Sequence, residues 1–107
     1  MTTFDKREEA YENKFSHEKE LEFKIRARRN KLLGHWVAEK LGLRGENIEE
    51  YVKAIVDTGV HNSDDDTIKD KILNDFISNN VKINKNEIQK EINRLHDLAS
   101  DQLKNIK

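Results

Sequence analysis

The chain contains no cysteine and no proline, and only one tryptophan and one methionine, in 107 residues. Without cysteine there is no disulfide framework, no thiol nucleophile and no thiolate for a metal. Without proline the strongest helix breaker is missing, so element ends must be set by glycine and asparagine, and an all-α fold is expected. No apolar run approaches the roughly 20 residues needed to cross a bilayer, and the first turns lack the apolar stretch of a secretory signal. A soluble protein with no direct membrane insertion is therefore expected. An excess of one charge is also missing, since 20 Lys and Arg face 21 Asp and Glu for a formal net charge of −1. Nucleic-acid binders normally carry a basic surplus, so no nucleic-acid partner is expected.

What the chain does have is charge: 38% of its residues are charged and 35% hydrophobic, which leaves only a small core. The charge is unevenly placed. Residues 1–22 carry four bases and seven acids, 23–45 seven bases and one acid, and 46–107 nine bases and thirteen acids. A positive middle between negative ends points to complementarity within the fold.

Hydrophobic periodicity divides the chain into four helical segments, at about 19–42, 46–58, 65–79 and 86–105. In the first, Leu21, Ile25, Leu32, Leu33 and Trp36 share one face. Phe23, Val37, Ala38 and Leu41 lie on another, beside Gly34, so this helix should touch two neighbours and run through the centre of a bundle. Gly42 and Gly45 end it. Ile48, Tyr51, Val52, Ile55 and Val56 repeat at amphipathic spacing, with Gly59 placed to supply a left-handed cap. Asp64, Asp65 and Asp66 precede Ile68, Ile72, Leu73, Phe76 and Ile77, and Asn79 and Asn80 close that helix. The last segment opens with Asn84 and Glu87 at capping-box spacing and carries Ile88, Ile92, Leu95, Ala99 and Leu103 on one stripe. The fold class is a small four-helix bundle with a long first helix.

Chemistry-bearing patterns are sparse. His17, His35, His61 and His96 form no i, i+4 pair, and the run Asp64–Asp66 lacks the alternating ligands and terminal glutamate of a calcium loop. It reads as an N-terminal helix cap. There is no phosphate-binding glycine loop and no nucleophile elbow, so no enzyme and no cofactor is expected. The acid-free stretch Lys24, Arg26, Arg28, Arg29 and Lys31 stands out. On a helical wheel Lys24, Arg28 and Lys31 cluster, whereas Arg29 projects between Ile25 and Trp36 onto the apolar face. Arg29 must snorkel or pair with a carboxylate, because an unpaired buried guanidinium is prohibitively costly. Arg28 is a candidate for a secondary contact with a partner.

The N-terminal stretch is a charged rod with one thin apolar line, Phe4, Tyr11 and Phe15, which fall within roughly 40° of one another. Burying three such side chains gains roughly 5 to 9 kcal/mol. Fixing the backbone of residues 1 to about 18 costs on the order of 15 to 30 kcal/mol, only partly offset by helical hydrogen bonds. Residues 1–18 are therefore expected to be mobile in the free chain and ordered by a partner, with 19–107 as the bundle domain.

Two stretches carry a family resemblance. The opening T-T-F-D-K-R-E-E-A-Y-E-N-K-F, from Thr2 to Phe15, and A-R-R-N-K-L-L-G-H-W, from Ala27 to Trp36, resemble the ATPase inhibitor zeta subunit family of alphaproteobacteria. The close region of the resemblance spans residues 2–43, and the remainder agrees in helical pattern and length. It implies a four-helix bundle that inhibits ATP hydrolysis by F1Fo-ATP synthase with its N-terminal segment. By that resemblance Phe4, Arg7, Glu8, Tyr11, Glu12, Lys14 and Phe15 would enter the cleft between the alpha and beta subunits of F1, near gamma. The implied location is the cytoplasm, at the inner face of the membrane when bound. The sequence does not establish the oligomeric state, and a monomer is the expectation for the free chain. Two other readings of the residues stand beside it: a helical adaptor for an unrelated protein groove, and a small nucleic-acid binder using Arg26, Arg28 and Arg29.

Overall fold

The computed structural model describes residues 3–62 and 64–104, with side chains from residue 18 onward. Four helices follow one another: α1 Thr3–Leu41, α2 Glu46–His61, α3 Asp65–Ser78 and α4 Lys85–Lys104. The fold is all-α, a small bundle with a long first helix. Of the segment 1–18 expected to be mobile in the free chain, residues 1 and 2 and the side chains of 3–17 lie outside the described residues.

Each helix end has a local cause. At the end of α1, Gly42 takes φ +75°. The Leu43 N–H donates to Ala38 O at 3.0 Å and the Gly42 N–H to Glu39 O at 3.1 Å, which is the paired pattern of a left-handed glycine stop. Asn80, at φ +58°, does the same for α3, where the Val81 N–H donates to Phe76 O and the Asn80 N–H to Ile77 O. Asparagine is among the few residues besides glycine that visit this region readily. The starts of α3 and α4 are capped by Asp64, whose Oδ1 accepts from the Thr67 N–H at 3.0 Å, and by Asn84, whose Oδ1 accepts from the Glu87 N–H at 2.9 Å.

One end differs from expectation. Gly59 does not terminate the second helix. α2 continues through it to His61 and is capped by Asn62, whose backbone N–H and side-chain Nδ2 both donate to Thr58 O at 3.0 Å. Gly59 serves instead as a place of close approach: a Cβ there would overlap the amide nitrogen of Asn30 on α1. Gly34 has the same role further along the α1–α2 contact, since a Cβ would stand 2.9 Å from the Val52 backbone Cα. Gly34 thus lets α1 approach the α2 backbone, and Gly59 leaves room for the Asn30 side chain.

The core is continuous across all four helices. Leu33 and Val37 of α1, Ile55 of α2, Ile68, Ile72 and Phe76 of α3, and Ile88, Ile92 and Leu95 of α4 form one buried cluster. Trp36 sets its ring edge against Phe76, with centroids 5.8 Å apart and planes at 80°, a favourable aromatic geometry. α1 packs against α2 and α4 and reaches α3 through Trp36 and Arg29. Two apolar residues fall outside this core despite their periodicity: Phe23 is 59% exposed and Ile77 64%. Phe23 lies where α1 is leaving the bundle, and there the face it shares with Val37 and Ala38 opens into shallow grooves toward Val56 and Val60 of α2 and Leu103 of α4.

The Cα envelope measures 65 × 25 × 21 Å. A helix of 39 residues is about 58 Å long at 1.5 Å per residue, so α1 alone defines the long axis. No helix among the described residues is long and apolar enough to cross a membrane.

Candidate functional site at the root of the long helix

The residues proposed from sequence to meet a partner divide into two groups. Phe4, Arg7, Glu8, Tyr11, Glu12, Lys14 and Phe15 fall on the backbone of α1, but their side chains lie outside the described residues. Arg28 and Arg29 lie further along the same helix, where it joins the bundle.

Arg29 is 3% exposed and belongs to the interior. Its Nη2 donates to Asp65 Oδ1 at 2.9 Å and its Nη1 to Asp65 Oδ2 at 3.3 Å, a two-pronged pair with the first residue of α3. The neighbouring Asn30, also 3% exposed, accepts at Oδ1 from Arg29 Nε and Nη2 at 3.1 and 2.9 Å. Asn30 in turn fills the space left by the missing side chain of Gly59. The guanidinium is thereby held on two sides, which offsets the cost of removing it from water. Among the described residues, no buried side-chain nitrogen or oxygen lacks a hydrogen-bond partner. Arg29 is thus a structural cation that closes the polar end of the core.

Arg28 points outward. Its Nη1 donates to Gln102 Oε1 of α4 at 3.4 Å, a contact with a neutral group at the surface. Lys24 and Lys31 are exposed on the same side, with Lys24 in an exposed pair with Glu20 at 3.5 Å. Arg26 lines both the groove toward α2 and a polar cleft that it shares with Arg29, Asp65, Asn93 and His96.

Asn30 and Gly59 were not singled out as a pair by sequence reasoning. A signal existed, because Gly59 continues the stripe Ile48, Val52 and Ile55 in phase, and a glycine on a buried stripe marks close approach as readily as an end. Elsewhere, Tyr51 joins α2 to α3 by donating to Asp75 Oδ2 at 2.6 Å, and Lys71 donates to the same oxygen at 3.2 Å. Burial first, and then the hydrogen bond to and charge of Asp75, push the Tyr51 phenol well above its ordinary pKa. Asp64 is shifted down, chiefly by the Thr67 N–H and then by the Thr67 hydroxyl. No group of three or more His, Asp or Glu that could hold a metal occurs among the described residues.

Among the described residues, the root of α1 presents exposed cationic side chains around a buried, paired arginine. A family model described as ATPase inhibitor subunit zeta matches residues 1–102, well past the 2–43 stretch in which the motif resemblance was close. No curated protein and no solved structure matched the chain.

Proposed function

The chain belongs to the ATPase inhibitor subunit zeta family, a regulatory protein and not an enzyme, which binds an ATP synthase; we propose that it stalls hydrolysis by lodging the N-terminal half of α1 as a wedge at a catalytic interface of F1. In a rotary ATPase each catalytic interface must close and open in turn. A rod held in one interface prevents the next closure and needs no chemistry of its own.

The observation that carries this reading is that α1 is a single helix from Thr3 to Leu41 whose C-terminal half is packed into the bundle. Its N-terminal half bears the line of Phe4, Tyr11 and Phe15. Those three act as apolar anchors, and Arg7, Glu8, Glu12 and Lys14 set register through ion pairs and hydrogen bonds with the alpha, beta and gamma subunits. Residues 1–18 form the inhibitory segment, and the bundle of 19–107 is a stop too wide for the cleft. On this reading the free chain is a monomer and works at the cytoplasmic face of the inner membrane.

The test is ATP hydrolysis by F1-ATPase from the same source, measured with the full chain and with a chain lacking residues 1–18. The full chain should inhibit and the truncated chain should not. Full inhibition by the truncated chain would defeat the wedge.

A further inference from the structure

Where α1 leaves the bundle, a patch of apolar surface stays uncovered. Phe23 is 59% exposed and Val60 57%. Both line a groove of about 260 Å³ between α1 and α2, with Ala27 and Val56 between them. A second groove, of about 360 Å³, opens on the other side of Phe23 toward Leu103. Phe23 is thus a ridge between two shallow troughs, and together with Ala27, Val56 and Val60 it makes a contiguous apolar patch with a polar rim, the kind of surface that marks a contact site.

The rim of the second trough is cationic. Lys24, Arg28 and Lys31 line it, and no carboxylate occurs on α1 between residues 23 and 38. Arg28 is engaged by the neutral Gln102 amide, and the Lys24–Glu20 pair is exposed on both sides, so neither cation is strongly committed within the chain. An apolar ridge edged by cations fits a partner segment that carries apolar side chains and carboxylates.

The position of the ridge says which partner. Phe23 follows Phe15 by eight residues on one helix, about 12 Å along the axis, and lies roughly 100° around it from the anchor line. A cleft that grips Phe15 therefore has its outer rim level with Phe23, against a different wall. We infer that the Phe23–Val60 ridge and its basic rim form a second docking surface, which seats an acidic, apolar-anchored segment of the ATPase at the mouth of the cleft that takes the rod. This rests on the wedge reading above. Because rod and ridge share one helix, the second contact forms at high effective concentration and acts mainly by slowing dissociation.

The experiment uses the full chain against F1-ATPase from the same source, with hydrolysis and the dissociation rate as readouts. One variant combines Phe23→Ser with Val60→Ser, and a second combines Lys24→Glu, Arg28→Glu and Lys31→Glu. All five side chains are exposed, and thermal unfolding of each variant confirms that the bundle is intact. Each variant should still reach complete inhibition, but at a concentration raised about tenfold or more, with faster dissociation. The charge-reversed variant should also be less salt-sensitive than the wild type, keeping only the dependence that comes from the rod's own ion pairs. Inhibition at wild-type concentrations by both variants would overturn the inference while leaving the wedge intact. Tighter inhibition than wild type would also overturn it, since the ridge would then be covering the chain's own N-terminal segment or a second copy. Failure of the wild-type chain to inhibit would defeat both readings together.

Discussion

Arg29 and Asp65 meet through two hydrogen bonds of 2.9 and 3.3 Å, joining helices whose residues are 36 apart in sequence. The arginine is sealed from water, and the aspartate side chain is 37% exposed. Removing the carboxylate strands a buried cation, whereas replacing the cation by an apolar chain leaves a carboxylate that water can reach but strands the buried Asn30 Oδ1, which accepts from Arg29. Asp65→Ala should therefore cost about 2 kcal/mol, and Arg29→Met about 1 kcal/mol, the cost of the stranded amide oxygen. Chemical denaturation of the two variants measures both, and a larger loss for Arg29→Met would show that the pair contributes net stability by itself.

The two close-approach glycines set helix propensity against space. Alanine at Gly34 or Gly59 gains about 1 kcal/mol as a helix former. Its Cβ would meet the Val52 backbone at 2.9 Å in the first case, and in the second would overlap the Asn30 amide that supports Arg29. Backbone cannot give way cheaply, so Gly34→Ala should destabilise by a net ~1 to 3 kcal/mol, roughly 4–8 °C in Tm per kcal/mol. Gly59→Ala should destabilise as well, and combining it with Asn30→Ala should recover some of its own cost. Thermal unfolding of the single and double variants checks this.

Tyr51 provides a signature at alkaline pH. Its phenol pKa is raised in the folded chain by burial and by Asp75. The stabilisation is therefore fully present below the unfolded value of about 10 and is lost as pH rises above it. In a Tyr11→Phe background, where Tyr51 is the sole tyrosine, phenolate absorbance should stay low through about pH 11 and appear only with unfolding. Tyr51→Phe should cost about 1 kcal/mol near neutrality and abolish the alkaline slope.

Asp64 acts on the acid side. Its lowered pKa means that its capping contribution is present above about pH 4, the unfolded value, and is lost as pH falls through the lower folded value. Asp64→Asn keeps an acceptor for the Thr67 N–H and should remove that pH dependence with little change in Tm at neutral pH. Asp64→Ala should lower Tm at neutral pH. Melting curves taken from strongly acidic to neutral pH separate the two.

On the proposed wedge, Tyr11 and Phe15 should each matter individually. Tyr11→Ala or Phe15→Ala removes about 1.5 to 3 kcal/mol of burial in the cleft, which corresponds to a rise of roughly 10- to 150-fold in the half-inhibitory concentration. Unchanged inhibition of hydrolysis by both variants would remove the anchor line from the interface.

Much of the fold was legible because its signals are local. Leu33 and Val37, the stripe of Ile88, Ile92, Leu95 and Ala99, and the caps at Asp64 and Asn84 depend on residues within one or two turns of each other. Phe23 misled because periodicity records which face a residue occupies but not how far along that face the neighbouring helices extend. Gly59 misled for a related reason. A glycine near a helix end is ambiguous until the position of Asn30 on the facing helix is known.

Four helices, most of their stops, the absence of thiol chemistry and, through Thr2–Phe15 and Ala27–Trp36, the family were all written in the order of the residues. They follow from backbone sterics, side-chain period and motif, all of which act over short separations along the chain. Three-dimensional packing was needed to pair Arg29 with Asp65, to place Asn30 in the hollow at Gly59, and to leave Phe23 and Val60 uncovered beside Lys24, Arg28 and Lys31. Those outcomes depend on the register and reach of one helix against another, and that register is set by the packing of the whole core.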